Sequence, residues 1–218
     1  MEWKDIKNIH LTIYPPDARI HVSAPLMMTE ESVRLFLITK MSWIKQRVLQ
    51  IVGQNRQTPR KYVSGENHYY KGRRYRLRVV YSYPPRVEIQ GNEYIVLHTR
   101  PKTSEERKAE IMKEWYRNEL KEILPSLITK WEEILEVKVN SWQVKQMKTR
   151  WGSCNHKTHN VIFNLELIKK PFHCIEYIVV HELLHIKVRL HDEQYTNLLD
   201  RYLPNWRQIK DELNYFVV

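Results

Sequence analysis

Apolar positions along this chain change their period several times, and each change marks an element. Ile6 to Ile13 and Arg19 to Ala24 alternate apolar and polar residues, as half-buried strands do. The turn-prone Tyr14-Pro15-Pro16-Asp17 between them predicts a hairpin. Thr29 is a candidate helix N-cap, with Glu30 and Glu31 at the positive end of the helix it would start. Val33, Phe36, Leu37, Met41, Ile44 and Val48 recur at helical spacing, which predicts one helix over 30–51. A loop is expected from Gly53 to Pro59, and short strands at Tyr75–Tyr81, Arg86–Gln90 and Tyr94–Thr99. In Tyr75-Arg76-Leu77-Arg78-Val79 the alternation gives one face to be buried and one basic face.

Thr103-Ser104-Glu105-Glu106 fits a capping box, so a long helix should run from 104 to 123. Pro125 is expected to stop or kink it, and Ser126–Glu136 to resume helically. Trp142–Lys148 and Val161–Leu167 read as strands on either side of an irregular stretch, Gly152-Ser153-Cys154-Asn155. Pro171 suits a first helical turn, and Ile175, Ile178, Val179, Leu183 and Ile186 continue from it as a buried helix.

Composition narrows the class. The chain has 218 residues, 42% hydrophobic, with seven Trp and thirteen Tyr, which is ample for a core and argues against disorder. No apolar run approaches the roughly 18 residues of a membrane span. The opening Met1-Glu2-Trp3-Lys4-Asp5 lacks a secretory leader's apolar stretch, so a cytoplasmic protein without a membrane partner is expected. Two cysteines, Cys154 and Cys174, cannot build a disulfide framework. The net charge of +11 is uneven: residues 1–100 hold 17 Lys and Arg against 8 Asp and Glu, residues 101–218 hold 19 against 17. The first half therefore carries the field that can attract an anionic partner, a nucleotide or nucleic acid. The contrast also sets two expected domains, a basic β-rich 1–100 and a balanced 101–218.

The buried helix contains His181-Glu182-Leu183-Leu184-His185. Residues four apart on a helix face the same way, so two imidazoles in this spacing can hold one Zn2+. Glu182 then leans toward a metal-bound water and is placed to take its proton. His191 follows His181 by ten residues, the offset of a third ligand in metzincins, but Val188 stands where those proteins have Gly. The chain must therefore turn differently, around Arg189-Leu190. By chance an HExxH arises in such a chain at roughly 4%, and with His at the further offset at roughly 0.2%, which favours a real site.

Two separated motifs in order, Met147-Lys148-Thr149-Arg150-Trp151-Gly152-Ser153-Cys154 with Asn164-Leu165, and Tyr177 to His185 with His191, resemble the YgjP-like family of HExxH metal-dependent hydrolases. That family is called a metallopeptidase domain and is related to SprT-like zinc proteases. The resemblance is tightest over 139–212 and looser earlier, through Trp43-Ile44 and Gly72-Arg73-Arg74-Tyr75. It implies a zincin-like catalytic unit in which His181, His185 and His191 hold one zinc and Glu182 is the base and acid. Asp192 stands where the family usually has Ser, and Tyr195-Thr196 keeps only the first of a common aromatic pair, which bears on pocket shape.

Neighbouring residues have two readings each. Asp192 either orients an imidazole or caps the next helix. Tyr195 either donates to a developing oxyanion or belongs to the core. Arg150 either binds a substrate carboxylate or phosphate or forms an ion pair with Glu166 or Glu176. Gly152 would supply a positive φ at a turn, and Cys154 either ligates zinc in a latent state or simply packs. The expected fold class is α+β: an N-terminal β-rich region with one helix, then a zincin-like helical domain with a small sheet and the HExxH helix. The expected function is a zinc metallopeptidase acting on polypeptide laid along the strand near 160–167. The alternatives are a metal-dependent nucleotide pyrophosphatase, without any GxxxxGK[ST] loop to hold phosphates, and a nucleic-acid-associated module.

Overall fold

The computed structural model describes residues 1–14, 17–53 and 60–215. Among them the fold is mixed α+β, with three small sheets and six α-helices. The chain divides into two compact units, Met1–Arg56 and Gln57–Phe216. The charge contrast runs on to residue 100, but the sheet of residues 67–99 shares its buried side chains with the helices that follow.

The first unit pairs β1 (Glu2–Lys4) in parallel with β3 (Arg19–Pro25), which pairs antiparallel with β2 (His10–Tyr14). This is the expected hairpin; Pro15 and Pro16 of its turn lie outside the described residues, as does 54–59 of the expected Gly53–Pro59 loop. Thr29 caps α1 (Glu30–Thr39), its side chain accepting from the Ser32 amide at 3.3 Å. The single helix expected over 30–51 is two helices, with α2 at Met41–Val52. Lys40 leaves helical geometry at φ −97°, ψ 3°, and Thr39 turns its hydroxyl onto the Phe36 carbonyl at 2.7 Å. A β-branched hydroxyl residue competing for a backbone acceptor is a local reason for a helix to end. The apolar period still holds across the break, with Val33 and Ile44 both buried.

In the second unit a four-stranded sheet has the order β4-β5-β7-β6, formed by β4 (Asn67–Tyr70), β5 (Arg73–Tyr81), β6 (Arg86–Gln90) and β7 (Tyr94–Thr99). Tyr75 and Leu77 face the core while Arg74, Arg76 and Arg78 stay exposed, as the alternation predicts. Arg78 lies 4.1 Å over the Tyr94 ring. Lys71 and Gly72 both have positive φ, the geometry of a tight hairpin turn. That turn docks through Lys71 N–H to the Ile168 carbonyl (2.8 Å) and Gly72 N–H to the Lys169 carbonyl (3.2 Å). A Cβ at residue 72 would stand 2.7–3.0 Å from Pro171, so glycine is required here for close approach as well as for φ.

Helix α3 (Glu105–Leu135) runs through Pro125 as one element, so of the expected stop or kink the stop does not occur, while 126–135 is helical as expected. Leu120, Leu124, Leu127, Ile128 and Trp131 are buried on either side of the proline. Burying five large side chains outweighs the roughly 3 kcal/mol that an interior proline costs. Its N-cap is Ser104, whose hydroxyl accepts from the Arg107 amide, one residue later than the predicted box. A three-stranded sheet follows, ordered β8-β10-β9, with β8 (Ser141–Lys145) parallel and β9 (Gly152–Asn155) antiparallel to the central β10 (Asn160–Asn164). The stretch expected to be irregular is thus a strand. A 3-10 turn (Leu165–Lys169), α4 (Phe172–Lys187), α5 (Glu193–Tyr202) and α6 (Trp206–Tyr215) complete the unit.

Asn164 holds this second sheet to the loop before β9. Buried at 4% exposure, its side chain donates to the carbonyls of Met147 (3.0 Å) and Arg150 (2.7 Å) and accepts from the amides of Met147 (3.3 Å) and Glu166 (3.2 Å). Asn164→Ala would orphan those backbone groups. At about 1 kcal/mol for each of the four lost bonds, the expected destabilisation is about 4 kcal/mol. Thermal unfolding should show this as a fall in Tm of about 10 °C.

Candidate metal centre

Helix α4 is fixed from below by its own apolar residues: Ile175, Val179, Val180, Leu183 and Leu184 are fully buried. That leaves His181 and His185, one turn apart, at the wall of a cavity of about 1170 Å³. The helix ends at Lys187, and Val188 is extended (φ −129°, ψ 116°), so no left-handed residue is needed where metzincins place glycine. The chain bends through Arg189–Asp192 and brings His191 back to the other two rings.

The three imidazoles converge. Ring centroids are 5.0 Å apart for His181–His185, 5.0 Å for His181–His191 and 4.6 Å for His185–His191. Ligand-capable nitrogens of all three lie within 4.8 Å of one another. Nε2 of His191 is 3.2 Å from Nε2 of His181. Two nitrogens at roughly 2.0–2.1 Å from one tetrahedral zinc stand about 3.3 Å apart, so this pair already has the spacing of two corners of a metal site. His185 Nδ1 is 3.1 Å from the Val188 carbonyl; as a donor to it, it leaves Nε2 free to ligate. Burial and the neighbouring rings push the His181 pKa down to about 3, and burial lowers His185 and His191 too, so the rings are held neutral, as ligands must be. His156, not singled out by the sequence, has Nδ1 3.0 Å from the His185 carbonyl. The donor set fits one zinc ion.

A second trio, His173, Cys174 and Glu212, is also close enough to share an ion. Its His173 and Glu212 already bond each other at 2.6 Å, and burial pushes the Cys174 thiol up to about 12, away from the thiolate a metal requires. Cys154 belongs to neither trio among the described residues, and burial pushes its thiol up to about 11, in keeping with a packed residue.

Glu182 is 4% exposed and sits between α4 and β9. Burial raises its carboxyl to about 8, against the opposing pull of Arg150 and of the Cys154 backbone amide. Its closest neighbour explains Gly152. The φ of Gly152 is not positive, contrary to the expected turn role. Instead, a Cβ at 152 would stand 2.7 Å from Glu182 Cγ and 2.8 Å from Cδ, and closer still to Oε1. Glycine is required so that the carboxylate can lie flat against the strand. Gly152→Ala should push Glu182 aside and lower kcat/KM by about 100-fold while zinc content stays that of wild type, measured by metal analysis beside the activity assay.

Asp192 caps α5, its carboxylate accepting from the Tyr195 amide at 3.1 Å. Tyr195 is buried, with its hydroxyl donating to the His181 carbonyl at 3.0 Å and its ring stacked on His185 at 4.9 Å. Arg150 is exposed on the cavity wall. Neither expected carboxylate partner is committed to it: Glu166 bonds Lys169 at 2.5 Å, and Glu176 bonds Lys130 at 2.7 Å and Trp131 Nε1 at 3.0 Å. Strand β10, expected to carry the substrate, is paired on both sides; β8 and β9 are the edge strands of this sheet, and β9 is the one that lies against Glu182.

The family model for the YgjP-like metallopeptidase domain matches residues 7–216. Two solved structures are similar to part of the chain. One is the metallopeptidase zymogen of Pyrococcus abyssi abylysin, at 17% identity over 42% of this chain and 91% of that one, with a TM-score of 0.39. The other is the metallopeptidase zymogen of Methanocaldococcus jannaschii jannalysin, at 21% identity over 41% of this chain and 91% of that one, with a TM-score of 0.36. No curated protein matches the chain.

Proposed function

The chain belongs to the YgjP-like metallopeptidase family and is a metal-dependent hydrolase; from that premise we propose that it is a zinc peptidase, with His181, His185 and His191 as ligands and Glu182 as general base and acid. The observation that carries this reading is the meeting of three neutral imidazoles beside a buried carboxylate in one cavity. Zinc, when bound, would polarise a carbonyl and bring the pKa of a water to about 7.

The protein's own groups supply the rest. An extended peptide adds to the free edge of β9 by main-chain hydrogen bonds, since β10 has no edge to offer. This places the scissile carbonyl beside Glu182, which takes a proton from the attacking water and returns it to the departing amine. Arg150 serves as a substrate-binding residue on the cavity wall. Tyr195, with its hydroxyl engaged by the His181 carbonyl, positions the first ligand rather than reaching substrate. Both cysteines are free, which fits a reducing cytoplasm, and no helix among the described residues is long and apolar enough to cross a membrane.

The nucleic-acid reading rests on basic charge, and the pyrophosphatase reading on basic charge and the family resemblance. The deciding experiment incubates the zinc-loaded protein with unstructured polypeptides and, separately, with nucleoside triphosphates. Peptide cleavage is expected. Pyrophosphate release with every polypeptide left intact refutes the peptidase assignment.

A further inference from the structure

Resting on the peptidase reading, we propose that the cleft selects acidic peptides, with Asp or Glu side chains flanking the scissile bond. The cavity wall carries four cations, Arg150, Lys157, Arg189 and Lys210, and a single acid, the buried Glu182. Composition does not account for this, because residues 101–218 hold 19 basic and 17 acidic side chains. Some lysines of the same unit lie in ion pairs, as in Lys130–Glu176, Lys138–Glu132 and Lys169–Glu166. The four cleft cations are exposed, and none has an ion-pair partner among the described residues.

They also arrive from four different segments: the loop before β9, the β9–β10 turn, the bend after α4, and α6. The site is therefore surrounded by positive charge. A concave site lined by one sign of charge focuses its field on the opposite sign and rejects its own. On an extended peptide, side chains on one face recur about every 6.8 Å, so acids on both sides of the bond can meet cations on opposite walls.

The test is fluorescence anisotropy on the full-length Glu182→Gln protein, metal-free and zinc-loaded, with one peptide sequence carrying Glu, Gln or Lys at the flanking positions. The same peptides are run as substrates of the wild type. At 50 mM salt the Glu peptide should bind about tenfold more tightly than the Gln peptide, and the Lys peptide more weakly than either. At 500 mM salt, where the Debye length shrinks from roughly 14 Å to roughly 4 Å, the preference should collapse. Lys157→Glu combined with Lys210→Glu, both surface changes, should cancel it. Equal Kd for the Glu and Gln peptides overturns the proposal, as does a preference that survives the double substitution. Selective binding without cleavage by zinc-loaded wild type supports the charge selection and removes the peptidase reading. Cleavage indifferent to flanking charge does the reverse. Nucleoside triphosphate hydrolysis with no peptide bound overturns both.

Discussion

Glu182→Gln should leave the zinc in place and lower kcat/KM by about 1000-fold, within the range that positioned general acids and bases contribute. The amide is nearly isosteric, so it can occupy the crevice against Gly152 and keep an oxygen toward the Cys154 amide. What it cannot do is accept a proton from water or carry one to the leaving amine. Stability should move the other way. A carboxyl at 4% exposure is held there against the cost of burying its charge, and the neutral amide is spared that cost. The variant is thus expected to melt at or above the wild-type temperature, a trade of stability against activity common at catalytic positions. Metal analysis, steady-state kinetics and a melting curve on one preparation check all three. Undiminished turnover would mean that Glu182 is not the proton carrier.

Most of the candidate site was legible because its signal is local. HExxH needs only an α-helix to bring two imidazoles together, and the apolar run Ile175–Val180 guarantees that helix a buried seat. The Asp192 cap was legible for the same reason, since capping reads three residues. Strand β9 was not. Gly152, Ser153 and Asn155 are poor strand formers, and only pairing with β10 on one side and packing against α4 on the other make the segment extended. The reason for Gly152 lay equally out of reach, because it depends on a side chain 30 positions away rather than on the glycine's own φ. At Pro125 the stop, one of the two outcomes the sequence allowed, does not occur: the local cost is real, yet burial on both flanks of the proline overrides it. Lys40 shows the converse, a break at a residue whose neighbours keep perfect helical spacing. Sequence period reports which face is buried, and it does so across a break as well as within one helix.

His185→Ala should abolish both zinc retention and activity, and it separates the metal from the proton carrier. Of the three proposed ligands, His185 has the best determined orientation. Nδ1 is set by the Val188 carbonyl, the ring is stacked on Tyr195, and the backbone sits in the last turn of a buried helix. Removing it leaves two nitrogens, 3.2 Å apart, of which one belongs to the exposed His191 on a bend. Two monodentate ligands rarely retain zinc, because structural and catalytic sites use three or four. The readout need not be catalytic. An ion that binds only the folded chain stabilises it by about 2.7 kcal/mol at a hundredfold excess over Kd. For a protein of this size that corresponds to a rise in Tm of about 8 °C. Wild type and Glu182→Gln should both show the rise on adding zinc, whereas His185→Ala should show none. Comparing each variant with its own metal-free melt removes the intrinsic cost of deleting a packed ring. A zinc-dependent shift that persists in His185→Ala would place the ion elsewhere, with the His173–Cys174–Glu212 trio the first position to examine.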